Sequence, residues 1–341
     1  MDEINIPESK PLVSVITPCY NGERFMVQWA DNLAQQDYPH VEVILVNDGS
    51  TDGSAAAFKK ESERLKRRGY VVHYVEKPNG GAADAVNHGL PLVSGAYIML
   101  SDMDDFLFPE AISAKADYLT EHGDVDLVRN NGYAVREQNI DDESLFIGEK
   151  ESEFNPNPFD ALIHMRITPY PGSYMVRSNA LFARLNDRKI YVSQFGQNFQ
   201  MVVPVAYFGK SGYIGRPLMK YVHYAKSHSH TKNFERRLEL HNGYEGNMIA
   251  CISMLDISEA EKQEYIDIAK KSNLEGRFLI GIEYQKRELI AEQYKLMKKY
   301  GLVTSRVKWM FFISNLPLGC FAIKSWPRAK RVTKRLLYRI R

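Results

Sequence analysis

Cysteine is scarce: Cys19, Cys251 and Cys320 are the only three in 341 residues, an odd number set far apart. They build no metal or redox spacing, so a reducing compartment is the expected setting. No apolar run is long enough to cross a bilayer as a helix. The opening Met1-Asp2-Glu3-Ile4-Asn5 is acidic and lacks the apolar core of a secretory signal. Two nucleotide signatures are missing as well. No Gly-x-Gly-x-x-Gly follows the first β-rich run, and no Gly-x-x-x-x-Gly-Lys-Ser/Thr phosphate loop occurs. A diphosphate held by this chain would need some other source of positive charge. Acid is absent from one region: residues 306–341 carry ten Lys/Arg and no Asp/Glu, although the chain has 44 basic and 42 acidic residues. The remaining body is therefore net acidic, which argues against nucleic acid as its partner.

Hydrophobic content of 44% and charged content of 25% are ordinary for a globular protein, and the length allows one large domain or two smaller ones. Residues 12–18 form a β-rich run ending in the turn residues Cys19-Tyr20-Asn21-Gly22. A helical pattern follows through Phe25, Trp29 and Leu33. Residues 41–46 read as a second strand, ending in Asn47-Asp48-Gly49-Ser50, with a helix over roughly 55–67. A third strand at 70–75, the loop Lys77-Pro78-Asn79-Gly80-Gly81 and a helix near 82–92 come next. This alternation predicts an α/β fold with a mostly parallel sheet flanked by helices, and ligands at the carboxyl ends of its strands. Asn21, Asp48, Gly80-Gly81 and Asp102–Asp104 all fall just past such ends. Turn geometry explains each loop singly. Together they predict one polar, nucleotide-sized crevice.

The apolar run 95–100 leads into Ser101-Asp102-Met103-Asp104-Asp105. Three carboxylates in four positions repel one another unless a cation lies between them. A hard divalent ion, Mg²⁺ or Mn²⁺, takes such oxygen ligands and shares its remaining shell with phosphates. The same residues also suit a solvated acidic turn that starts a helix at Pro109-Glu110. This stretch alone leaves both open.

The runs Val13-Ser14-Val15-Ile16-Thr17-Pro18-Cys19-Tyr20-Asn21-Gly22, Val46-Asn47-Asp48-Gly49-Ser50-Thr51-Asp52, Asn79-Gly80-Gly81 with Asn87-His88-Gly89, and Asp102-Met103-Asp104-Asp105 resemble, in order and spacing, family 2 glycosyltransferases of the GT-A fold. The resemblance covers about residues 11–230. It implies transfer with inversion from a nucleotide sugar, usually UDP-linked, with Mn²⁺ or Mg²⁺ as cofactor. It further implies that Pro18, Tyr20 and Glu23 line the base and ribose site, with Gly80 and Gly81 also at the nucleotide. Asp48 would accept a hydrogen bond from the uracil ring, Asp102 would lie near the ribose and the metal, and Asp104 would ligate the metal. A cation on the diphosphate would stabilise the charge that develops as UDP departs.

Tyr170-Pro171-Gly172-Ser173-Tyr174-Met175 resembles the family segment that returns beneath the sugar, where Gly-Ser allows close backbone approach. The chain departs from the pattern at Gln197-Asn198, where many members carry Glu-Asp with a carboxylate as general base. An amide accepts no proton near neutral pH. Gln197 and Asn198 are then expected to position the acceptor, with Asp105 or a phosphate oxygen as candidates to receive its proton. A nucleotide-sugar binder without turnover is the alternative, and a nucleotidyltransferase a further one. His228 and His230 project to one side if the chain there is extended. By the resemblance His230, ahead of His228, would complete the metal shell or touch the diphosphate, with an exposed polar loop as the alternative.

Past Thr231, the spans 234–254, 258–271 and 276–299 have helical spacing, and Ser258-Glu259-Ala260-Glu261 reads as a helix start. These helices are expected to be structural or to form a homo-oligomer surface. Residues 306–341, aromatic and basic, suit an anionic membrane surface. The expected organisation is a catalytic domain over 1–230, a helical extension over 231–305 and a basic amphipathic tail over 306–341. The expected setting is assembly of a surface polysaccharide on a glycan or lipid-linked acceptor, at the cytoplasmic face of a cell membrane.

Overall fold

The computed structural model describes residues 10–143, 147, 157–224 and 233–325. Strand β1 (Val13–Cys19) pairs in parallel with β2 (Val41–Asp48) on one side and β4 (Tyr97–Leu100) on the other, and β3 (Val71–Lys77) extends β2. No residue of β1, β2 or β4 is exposed. Burial on both faces is what their unbroken apolar runs require of a parallel sheet. Helices α1 (Met26–Ala34), α2 (Ser54–Arg67) and α3 (Ala82–Gly89) connect these strands. Met26, Trp29, Ala30 and Leu33 of α1 and Phe58 and Leu65 of α2 join the core on one face of the sheet. A Cβ on Gly89 of α3 would stand 2.9 Å from Ile16 Cγ2. Only glycine lets that helix lie so close.

Beyond β4 the pairing turns antiparallel. β7 (Tyr174–Arg177) runs antiparallel to β4 and to β6 (Leu127–Arg136), and β5 (Phe106–Leu107) is antiparallel to β8 (Ser211–His223). The full order is β3-β2-β1-β4-β7-β6-β8-β5. Helix α4 (Ala111–Glu121) packs on β6 and β7, and α6 (Ser178–Phe182) and α7 (Asn198–Phe208) follow the later strands.

Two compact units result. The first holds the described residues up to Asn157 together with Pro169–Val222, and the second holds Pro158–Thr168 and the described residues from His223 onward. The second is helical: α5 (Phe159–Ile163), α8 (Phe234–Ser253), α9 (Glu259–Glu283), α10 (Arg287–Lys299), α11 (Ser305–Ser314) and α12 (Gly319–Ser325). Phe159 of α5 meets the Tyr265 ring of α9 edge-on, with centroids 4.9 Å apart. Ser258 and Glu261 form the reciprocal cap that their spacing predicts.

Helix α9 differs from the sequence expectation, because it runs unbroken through 272–276. Ser272 Oγ donates to Ile268 O at 2.9 Å and Asn273 Nδ2 to Ala269 O at 2.8 Å, so both polar side chains are satisfied within the helix. The chain turns at Gln285 instead, where φ is 58°. Among the described residues, no helix is long and apolar enough to cross a membrane.

Candidate active site

The loops that leave β1 and β2 are stitched together. Asn21, at φ 50°, donates its N–H to Ser50 Oγ at 2.9 Å and accepts from Thr51 N through Oδ1 at 2.8 Å. Gly22 N donates to Ser54 Oγ at 2.9 Å, Glu23 N to Asp52 Oδ2 at 3.1 Å, and Gly53 N to Glu23 Oε2 at 2.9 Å. Burial pushes the Asp52 carboxyl upward, but hydrogen bonds from the Ser54 hydroxyl and from the N–H groups of Glu23 and Ser54 outweigh it and leave the carboxyl lowered. A Cβ on Gly22 would lie 2.8 Å from Met103 Sδ, so glycine there admits the loop that follows β4.

Asp48, buried at the end of β2, ties down the loop after β3. Its Oδ1 accepts from Lys77 Nζ at 2.5 Å and Gly80 N at 2.9 Å, and its Oδ2 from Gly81 N at 2.8 Å and Asn79 Nδ2 at 3.2 Å. Burial alone would lower the Lys77 ammonium. Hydrogen bonds and charge from Asp48 and from Asp84, whose Oδ2 is 2.6 Å away, raise it instead. Gly81 sits at φ +91°, a region open to glycine. Pro18 pairs with Val46 near the carboxyl end of β1, and Tyr20, two residues further on, is half-exposed.

Past β4, the side-chain oxygens of Asp102, Asp104 and Asp105 lie within 4.8 Å of one another. Asp105 Oδ1 accepts from Val222 N at 2.9 Å, while its Oδ2 is buried and has no hydrogen-bond partner. Burial, then the charge of Asp104, pushes Asp102 up to about 8. Burial likewise raises Asp104, opposed by a backbone hydrogen bond and by the Arg24 guanidinium. Asp105 is driven well above the carboxylate range by burial and by both neighbours. Crowded oxygens with one unsatisfied atom are the donor set a hard divalent cation requires, and the residues fit such an ion. Arg24 escaped the sequence reading, since a lone basic residue at a helix start carries no signal of its own.

The turn at 170–173 docks on the same strand end: Gly172, at φ +82°, donates its N–H to Leu100 O at 2.6 Å. Beneath it the fully buried Lys115 donates from Nζ to Gly172 O at 3.0 Å and Asn130 Oδ1 at 3.2 Å. Burial pulls this ammonium down to about 7. A folded-state value below the unfolded 10.5 means that the native chain gives up the proton first, so stability contributed by Lys115 rises with pH from about 7 to about 10. Lys115→Met is expected to abolish that alkaline gain, as read by urea unfolding at about pH 7 and about pH 9.5. An unchanged slope would show that the lysine is solvated.

Tyr174, fully buried on β7, donates its hydroxyl to Asn198 Oδ1 at 2.8 Å. Burial and the Asp102 charge hold its phenol well above the usual range. The sequence singled out this segment for its Gly-Ser pair and missed the tyrosine. A strand tyrosine reads as packing until its partner is known. Gln197, buried, precedes the first residue of α7 and makes no side-chain capping hydrogen bond to it. His230 lies outside the described residues.

A sheet whose four parallel strands end in interlocked polar loops, with clustered carboxylates after β4 and antiparallel strands beyond, defines a GT-A-like fold. Residues 14–187, just over half of the chain, match the family described as Glycosyl transferase family 2, and the chain belongs to that family. TuaG of Bacillus subtilis, whose name provisionally assigns it to teichuronic acid biosynthesis as a glycosyltransferase, is 36% identical over 112 residues, 33% of this chain and 43% of its own. The chain spans less than half the length of the curated relatives it matches. Among solved structures, S. aureus TarS 1–349 in complex with UDP-GlcNAc aligns with a TM-score of 0.60 at 16% identity, covering 96% of this chain and 89% of that one. Mannosyltransferase PcManGT from Pyrobaculum calidifontis, in complex with GDP-Man and Mn²⁺, aligns with a TM-score of 0.59 at 15% identity, covering 98% and 86%. At these identities the likeness is one of fold.

Proposed function

We propose that the protein transfers a sugar, with inversion, from a UDP-sugar to a glycan or lipid-linked acceptor in surface polysaccharide synthesis, using Mn²⁺ or Mg²⁺. The observation that carries this reading is the Asp102–Asp104–Asp105 cluster, with its partnerless buried Oδ2, beside the loops that Asp48 and Asn21 knit together. The UDP-GlcNAc complex of TarS, the Mn²⁺ of PcManGT and the name of TuaG support donor, metal and setting in turn.

Asp104 and Asp102 would hold the ion, with Asp105 closing the cluster from its anchor on Val222 N. Bound there, a divalent ion neutralises the diphosphate and stabilises the charge that gathers on departing UDP. The exposed Tyr20 offers a stacking surface to the base, and glycine at 80 leaves room for the Asp84 carboxylate and Lys77 ammonium that a Cβ there would meet. Since Asp48 spends its oxygens on the Gly80-Gly81 loop, its part is to shape the nucleotide site as well as to face it. With Oδ1 of Asn198 taken by Tyr174, its Nδ2 is left to donate to substrate. The acceptor proton then passes to a phosphate oxygen of the leaving UDP.

Release of UDP from a panel of UDP-sugars, with Mn²⁺ and mixed glycan and lipid-linked acceptors, tests the proposal. Metal-dependent release that requires acceptor is expected. UDP binding without release would favour a nucleotide-sugar binder, a reading that the amides at Gln197-Asn198 keep in view. Pyrophosphate release would identify a nucleotidyltransferase.

A further inference from the structure

Helices α11 and α12 divide their apolar residues between two faces. Val307, Met310, Cys320 and Ile323 are buried in the helical unit against Phe278, Leu279 and Met297. Phe312, Leu316, Leu318 and Phe321 are left to solvent, at 64%, 42%, 81% and 61% exposure. Leu318, Phe312 and Phe321 are the three most exposed large apolar side chains among the described residues. They belong to one helix–turn–helix tip, with Leu318 at its bend in a backbone region, φ 56°, that a leucine seldom adopts. The inner face fixes the tip to the core, so the outer face is presented on a rigid support.

Charge decides what covers that face. Lys308 is exposed beside it, residues 324–341 add eight more Lys/Arg in sequence, and no acidic residue occurs from 306 to 341. A second copy of the same face would meet like charge. A polyanion such as nucleic acid would leave the phenylalanines and leucines unmatched. A surface that is anionic outside and apolar just beneath satisfies both features. We propose that the α11–α12 tip inserts Phe312, Leu316, Leu318 and Phe321 into the headgroup layer of an anionic lipid bilayer. This inference stands on the helical unit and does not depend on which sugar the first unit transfers.

Co-sedimentation of the full chain with vesicles tests it. Binding is expected to vesicles of equal parts phosphatidylcholine and phosphatidylglycerol, and to weaken at high salt, with little binding to phosphatidylcholine alone. The combined change Phe312→Ser, Leu318→Ser and Phe321→Ser, all at exposed positions, is expected to weaken binding about tenfold or more with every charge retained. Phe312→Trp, a conservative aromatic replacement, is expected to keep binding and to shift its fluorescence to the blue on vesicles. Undiminished binding by the triple serine variant, or no spectral shift from the tryptophan, would overturn insertion. A concentration-dependent dimer in sedimentation analysis that the triple variant abolishes would assign the face to a second copy and likewise overturn it.

Discussion

The metal-free protein is expected to lose stability as pH rises from about 5 to about 8, and millimolar Mn²⁺ is expected to restore it. The sign follows from the carboxylate cluster. Asp102 is pushed from 3.8 up to about 8, and Asp104 and Asp105 are raised with it. Between the unfolded value and the raised one, the native chain keeps protons that the unfolded chain has released, so each step up in pH favours unfolding. At about 1.4 kcal/mol per unit, the cluster is worth on the order of a few kcal/mol across the window. A cation among the oxygens removes the reason for holding protons, and the slope should flatten.

Thermal unfolding in EDTA and in Mn²⁺ across that range measures both effects. Asp105→Asn separates charge from structure, since an amide oxygen still accepts from Val222 N. It is expected to raise the metal-free melting temperature near pH 8. Asp104→Asn is expected to remove most of the Mn²⁺ response together with metal-dependent UDP binding. A wild-type protein equally stable at both ends of the window, and indifferent to Mn²⁺, would show that the cluster is a solvated acidic turn.

The parallel half of the sheet was legible because β1, β2 and β4 are covered on both faces and so appear as plain apolar runs. The polar loops were legible for the same reason, as interruptions at the carboxyl ends. The antiparallel half was not. In the middle of β6, Arg129, Asn130 and Asn131 interrupt any apolar run with three polar residues, yet all three are buried. Lys115 donates to Asn130 from α4, and Ser211 Oγ accepts from Arg129 Nε at 3.2 Å. Such pairings join residues 15 to 82 positions apart, and no local spacing announces them. The same holds for Arg24 near Asp104 and Tyr174 against Asn198. In the second unit, 306–323 reads as an aromatic tail, but the structure buries one face of it in the helical core. Amphipathic spacing alone does not say which covering the apolar face will take.

Tyr174→Phe is expected to lower turnover by about tenfold to a hundredfold while leaving UDP affinity within about twofold. The phenol is fully buried and its hydroxyl fixes which end of the Asn198 amide faces inward. Without it Oδ1 loses its donor, which costs about 1–3 kcal/mol, and the amide is free to turn. A purely structural role would lower stability but leave the ratio of kcat to UDP affinity unmoved. Asn198→Asp carries the argument one step further. A carboxylate keeps the hydrogen bond from Tyr174 and adds negative charge in the first turn of α7, where the helix dipole favours it, so the fold should persist. It also supplies the proton acceptor that the amide lacks. UDP release by this variant is expected to exceed the parent by about tenfold or more, with an acidic limb in its pH profile that the parent does not have. A slower variant with no new limb would mean that the acceptor relies on the amide as a donor, and that its proton reaches the leaving phosphate without help from α7.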